Sequence, residues 1–331
     1  MAALFQTRRQ SLALLGAGLT FPGAALAAPP AEGPDRTLPE AQFTPEGGST
    51  DVLGMEDLLR RMTAPVMVNG QGPFDFMVDT GTNRSIISDE LAVQLALPPG
   101  RSVRLHGIGG EQNFPTAAVE RFRIGDREAS RLNLPVLPAK YLHAPGILGV
   151  DGLKDQRVVL DLREARLRIE PSSKPDRSAG DSVIKARKRF GQLTVIDTDL
   201  DGLQVTVMID TGSETTVGNR ALQRAVGRRK RVGAEAPTQA VLLGATGERA
   251  TGDLGGLPTF RVGKLVVRNL QVVYTDLHPF TLWDLQTRPA VLMGMDVIRF
   301  FDVLSLDYGR NEVRFTLPAQ PFIDPAGDRR L

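Results

Sequence analysis

The chain has 331 residues, enough for two domains or one large one, and its 41% apolar and 24% charged content is that of an ordinary soluble globular protein. It contains no cysteine, which excludes disulfides, thiolate metal sites and cysteine nucleophiles together. The pI near 9.0 does not signal an acidic partner: residues 1–27 carry Arg8 and Arg9 and no acid, so without them basic and acidic residues balance and no net charge attracts nucleic acid.

Thr7-Arg8-Arg9-Gln10-Ser11-Leu12 opens a basic segment, an apolar stretch runs to about Leu26, and Ala25-Leu26-Ala27 offers small residues for cleavage. Residues 1–27 therefore read as a signal peptide. The paired arginines resemble a twin-arginine export address, with a plain secretory signal as the alternative. The expected location is periplasmic or secreted, with no stable membrane anchor after cleavage. Residues 28–54, rich in Pro, Gly and Ala, read as a disordered linker, and Met55 to Met62 as a short helix. The first lobe is expected over residues 55–170.

Asn69-Gly70 marks a hairpin turn. Phe76-Met77-Val78 is a continuous apolar run, which fits a strand covered on both faces. It ends in Asp79-Thr80-Gly81-Thr82, where the glycine marks a tight turn or a close backbone approach. Ser88 is a helix cap, with Asp89 and Glu90 in the first turn. Gly107-Ile108-Gly109-Gly110 then reads as the mobile tip of a hairpin. It is not a phosphate loop, because no Lys-Ser/Thr and no helix follow. Strands are expected near Val119–Ile124 and Leu132–Leu137. Ile147-Leu148-Gly149 leads into Val158–Leu162 and Ala165–Glu170.

Residues 171–182 read as a linker, residues 183–318 as a second lobe and residues 319–331 as a tail. The second lobe replays the first. Strands at Leu193–Thr198 and Leu203–Ile209 reach Asp210-Thr211-Gly212-Ser213. Gly218-Asn219 caps a helix over Arg220–Val226. Gly244-Ala245-Thr246-Gly247 is a second hairpin tip, and Leu292-Met293-Gly294 matches Ile147-Leu148-Gly149. Closing strands follow at Val303–Asp307 and Glu312–Leu317. The second copy is longer in two loops, the basic run 227–232 and residues 278–289, which hold Trp283, read as a packing anchor. Ordered features recurring twice mark a duplicated domain.

Two aspartates, each held at the end of a rigid strand, bring two carboxyl groups together if the strands face each other. Like charges that close share one proton, so one group can take a proton from water while the other donates one to a carbonyl. Three histidines, His106, His143 and His278, lie too far apart in the chain to read as a metal cluster. No metal and no cofactor is expected.

The order of strand, Asp-Thr-Gly-Ser/Thr, Gly-rich hairpin and apolar-apolar-Gly resembles the retropepsin-type aspartic proteases, over about residues 55–317. The resemblance implies an all-β fold of two homologous lobes related by a pseudo-two-fold axis, with the active site between them. It implies that Asp79 and Asp210 form a catalytic dyad. Thr80 and Thr211 would interlock beneath it, Gly81 and Gly212 would present backbone to the substrate, and Thr82 and Ser213 would donate hydroxyl hydrogen bonds to the carboxylates. Residues Gly107 to Gly110 and Gly244 to Gly247 would be flaps over a peptide or protein substrate. Ile147, Leu148, Gly149, Leu292, Met293 and Gly294 would back the site. Val150 and Met295 replace the arginine that braces the viral site, so the bracing must differ. One chain carries both halves, so a monomeric endopeptidase is expected; hydrogen bonds from Thr82 and Ser213 favour the ionised carboxylates, so its optimum is expected to be acid-shifted. The alternatives are a dimer in which each lobe pairs with its copy, a non-catalytic periplasmic peptide-binding module, and a two-carboxylate glycosidase.

Overall fold

The computed structural model describes residues 50–53, 55–56, 61–151, 156–173, 182–189, 192–200, 202–229, 238–318 and 322–323. The chain is mostly β, with two lobes built on barrel-like sheets. In the first lobe the edge strand Met55–Glu56 is followed by seven strands in the order Met62–Val68, Gln71–Val78, Gly146–Leu148, Ile86–Ser88, Arg127–Leu137, Glu111–Ile124 and Pro99–His106. In the second the order is Gln192–Leu200, Leu203–Ile209, Ala290–Met293, Val217–Gly218, Leu265–Tyr274, Arg249–Val262 and Gln239–Leu243. The two orders correspond strand for strand, as the sequence repeat requires.

Local chemistry accounts for the elements. Asn69 and Gly70 both adopt positive φ, 51° and 81°, as a two-residue hairpin turn of the mirror-image type demands. Ser88 Oγ accepts from Leu91 N–H at 3.1 Å and starts the helix Asp89–Gln94. Asn219 Oδ1 does the same for Leu222 N–H at 2.8 Å. That helix runs Arg220–Arg229, so it takes in the start of the basic run that reads as a loop from sequence. Arginine is a good helix former, and Arg228 stays exposed.

The lobes are joined by backbone hydrogen bonds. Gln156–Asp161 pairs antiparallel with Val303–Asp307, and each carries its own neighbour, Arg166–Pro171 and Glu312–Thr316. Thr50–Leu53 closes one edge of this sheet and Ser182–Arg189 extends it on the other side. Three sequence expectations are corrected here. Residues 50–53 fall in the expected linker, and Val52 and Leu53 give them enough strand character to take the free edge beside Arg166–Pro171. Met55–Glu56 and Met62 belong to strands and not to a helix: Met55–Glu56 pairs antiparallel with Met62–Thr63, and alternate residues of Met62–Val68 face the core. Phe322–Ile323, in the expected tail, pairs parallel with Val266–Val267. The signal segment 1–27 and most of both expected linkers lie outside the described residues.

At the seam of the two lobes lies Arg157, fully buried. Its guanidinium bonds Glu170 at 2.6 and 2.9 Å and faces Asp307 at 3.6 Å, and Ser172 Oγ donates to Asp307 at 2.5 Å. Removing the cation takes the counter-charge from two acids, one of them, Asp307, buried. Arg157→Ala is therefore expected to destabilise the protein by about 3–5 kcal/mol, read as a lowered midpoint in urea unfolding.

Candidate active site

The first lobe presents Asp79 from the end of Gln71–Val78. This strand lies parallel to Gly146–Leu148, with Val78 opposite Leu148, and Asp79 N–H donates to Leu148 O at 3.0 Å. The second lobe repeats the arrangement: Ile209 lies opposite Met293, and Asp210 N–H donates to Met293 O at 3.0 Å. Ile147, Leu148, Leu292 and Met293 are all buried and back the two loops. Pinned in this way at the ends of two rigid strands, the half-buried carboxyl groups of Asp79 and Asp210 each lie against the glycine of the opposite loop.

Beneath them the two loops are interlocked. Thr80 N–H donates to Thr211 Oγ1 at 3.0 Å, and Thr211 N–H donates to Thr80 Oγ1 at 3.1 Å. Each hydroxyl passes its own proton across the interface, Thr80 to Ile209 O at 3.1 Å and Thr211 to Val78 O at 2.8 Å. Both threonines are buried, so every one of these groups needs its partner. The glycines make the close approach possible. A Cβ on Gly81 would fall 2.6 Å from Asp210 Cγ, and one on Gly212 would fall 2.4 Å from Asp79 Cγ.

The donors to the carboxylates are backbone amides, which corrects the expected hydroxyl role. Gly81 N–H donates to Asp79 Oδ1 at 2.7 Å; Gly212 and Ser213 N–H donate to Asp210 Oδ1 at 2.9 and 3.1 Å. The Ser213 hydroxyl turns away to Thr215 O at 2.9 Å. Thr82 contributes backbone: its N–H reaches Asp79 O at 3.5 Å and its O accepts from Val150 N–H at 3.0 Å. Short loops that already aim their amides at the carboxyl groups leave the Ser213 hydroxyl for a local turn.

Burial raises the pKa of both acids above the ordinary carboxylate range. Asp210 is pushed up further by the Asp79 carboxyl beside it. On Asp79 the amide hydrogen bonds and the nearby Arg61 guanidinium act against burial. Arg61 is itself buried and donates to Leu142 O at 3.2 Å.

Asp151 and Asp296 supply the bracing that sequence reasoning left open. Asp151 Oδ1 accepts from Ser85 N–H at 2.9 Å and Ser85 Oγ–H at 2.7 Å, and Gly149 N–H donates to Ser85 Oγ at 3.2 Å. Asp296 holds Thr216 N–H at 2.9 Å and its hydroxyl at 2.6 Å, while Gly294 N–H donates to Thr216 Oγ1 at 3.1 Å. Each acid ties the far end of its Asp-Thr-Gly loop to the apolar-apolar-Gly strand behind it. The signal was available: a hydroxyl residue stands six places after each aspartate, and Gly-x-Asp recurs in both halves.

The two hairpin tips meet and cross, each packing on the opposite lobe. Gly107 N–H donates to Gly110 O at 2.8 Å and closes the first tip. Its Ile108 packs on a second-lobe cluster that includes Met208, Leu277, Phe280 and Trp283, and Ile108 O accepts from His278 N–H at 2.8 Å. The second tip is closed by Gly247 N–H donating to Gly244 O at 3.0 Å. Its Ala245 packs on first-lobe residues that include Met77, Ile86, Leu142 and Ile147, and Gly247 abuts Tyr141. Gly107 and Gly109 lie against Thr246 and Glu248 of the opposite tip. One expectation fails here: His106 and His278, 172 residues apart and read as scattered, approach to 3.1 Å, because the first hairpin reaches across to the second lobe. His143 ends the short helix Ala139–Leu142.

The aspartyl protease family model matches residues 64–151 and 196–297, one segment in each lobe and more than half of the chain. The chain belongs to this aspartyl protease family. Among curated proteins no significant match is found. Membership fits the duplicated fold and supports peptidase chemistry in general.

The interlock generates a testable expectation. Thr80→Val and Thr211→Val each leave a buried N–H and a buried carbonyl unpaired, at a cost of about 1–3 kcal/mol apiece. In a double-mutant cycle followed by thermal unfolding, the double variant should lose less than the sum of the two, because each substitution damages the same four-bond set.

Proposed function

We propose that the protein is an aspartic endopeptidase in which Asp79 and Asp210 of one chain activate a single water. The observation that carries this reading is the reciprocal packing of each dyad glycine on the opposite lobe's aspartate. It favours one shared site within one molecule over two lobes that each seek a second copy. Asp79, with Arg61 nearby, is the ionised partner, and Asp210 holds the shared proton. The pair titrates as a unit, and this assignment describes its dominant form. A water between them gives a proton to Asp79 as its oxygen attacks the scissile carbonyl carbon. Asp210 gives its proton to the carbonyl oxygen, producing a gem-diol. Collapse of the diol breaks the C–N bond, the amine leaves with the proton held by Asp79, and a diol proton returns to Asp210. The interlocked loops supply orientation, and the two hairpins exclude bulk water.

Substrates are extended peptide segments, paired along the hairpin edges as added strands are. The apolar clusters beneath the tips favour apolar side chains. The export signal read in residues 1–27 puts these substrates among proteins of the periplasm or outside the cell. The working form is a monomer, and sedimentation at low concentration tests it.

Asp79→Asn and Asp210→Asn are each expected to abolish cleavage of a peptide library while the protein stays folded. Full activity in either variant would show that the two acids do not share a site. Wild-type cleavage should stop with a statine-type transition-state mimic.

The pH profile should be bell-shaped, with both limbs set by the dyad. Because burial raises the pair, its one-proton form persists above the ordinary carboxylate range, so the alkaline limb should lie nearer neutral than the hydroxyl-donor expectation implied. The sign for stability follows. Between about pH 4 and the raised upper pKa, the folded site binds more protons than the unfolded chain. Stability therefore falls as pH rises through that window. Asp210→Asn should flatten this dependence in urea titrations at several pH values.

A further inference from the structure

We propose a binding site for a divalent transition metal, Zn2+ in the first instance, formed by His106, Glu111 and His278, which staples the first hairpin to the opposite lobe. His106 and Glu111 are a cross-strand pair at the neck of that hairpin. His278 opens the helix His278–Leu282 of the second lobe. One donor atom from each of the three lies within 4.8 Å of the others. His106 Nδ1 is 3.1 Å from His278 Nε2 and 3.7 Å from Glu111 Oε1. Metal–ligand bonds of about 2.0–2.2 Å at tetrahedral angles require ligand atoms about 3.3 Å apart. The two measured edges bracket that value.

The donor set fixes the class of ion. Two imidazole nitrogens with one carboxylate suit Zn2+ and its neighbours in the first transition row, whereas Ca2+ and Mg2+ prefer oxygen throughout. Three protein ligands leave a fourth position for water.

The backbone around the cluster is already held. His278 N–H donates to Ile108 O at 2.8 Å, and Ile108 is packed on the apolar cluster beneath it. Glu111 is oriented by Arg104, whose Nη1 bonds the other carboxylate oxygen, Oε2, at 3.2 Å and leaves Oε1 toward His106. This is the outer-shell contact that metal-ligating carboxylates commonly have. Binding then needs side-chain rotations that draw three donor atoms, now within 4.8 Å of one another, onto one ion. A bound ion ties two hairpin residues to a residue of the facing lobe, so it holds the tip down and obstructs substrate access. That consequence rests on the proteolytic reading above; the metal site itself does not.

The test uses the full chain. Zn2+ binding is followed by calorimetry, and Co2+ is added as a visible-absorption probe of tetrahedral nitrogen and oxygen ligands. One ion per chain is expected. His278→Ala, His106→Gln and Glu111→Gln should each weaken Zn2+ by about tenfold or more, while His143→Ala binds as wild type. Circular dichroism checks that each variant is folded; His278→Gln serves where His278→Ala is not. In parallel, Zn2+ should slow peptide cleavage by the wild type, a chelator should restore it, and the His278 variant should be insensitive. Undiminished binding in the three ligand variants, or no binding by the wild type, overturns the site. Binding without slowed cleavage overturns the stapling role. Inactivity of the metal-free wild type, with binding intact, would count against the proteolytic reading alone.

Discussion

Two threonine hydroxyls hold this molecule's two halves in register at the one place where register matters. Each accepts an amide proton from the other lobe and returns its own proton to a carbonyl of that lobe. The geometry is fixed at both ends of each bond by buried backbone, so the aspartates just before the threonines have little freedom. Parallel strands behind the loops set their height, and the Ser85–Asp151 and Thr216–Asp296 contacts set their tilt. The site is thus defined by backbone more than by side-chain choice.

That rigidity is what lets two acids face each other. Left to themselves, two half-buried carboxyl groups would swing apart or both take up protons. Amide donors favour the charged form, while burial and mutual repulsion oppose it. Burial weighs most on both acids, and only on Asp210 does the neighbouring carboxyl add to it. The seam between the lobes uses ions differently: there the Arg157 guanidinium lies between the carboxylates of Glu170 and Asp307.

Much of this was legible in the amino-acid order. The paired Asp-Thr-Gly segments, the two Gly-rich tips and the apolar-apolar-Gly strands stand in the same sequence in both halves, and each is local. The capping roles of Ser88 and Asn219 are local too. What escaped depends on chain segments far apart meeting. Thr50–Leu53 becomes a strand only because Arg166–Pro171 offers a free edge. His106 and His278 become neighbours only because a hairpin spans the cleft. The hydroxyl of Ser213 was assigned to the carboxylate from its position, yet a backbone amide reaches that oxygen first, and Thr215 O lies within the hydroxyl's own reach.

The crossing of the two hairpin tips has its own thermodynamic consequence. Ile108 and Ala245 are each tucked into apolar clusters that belong largely to the other half, so lifting either tip uncovers greasy surface on both sides at once. Water penalises that exposure, and the shut arrangement is the resting one. Under the proteolytic reading proposed above, an incoming chain bearing apolar side chains would occupy the vacated patches and offset that penalty, which a polar chain would not.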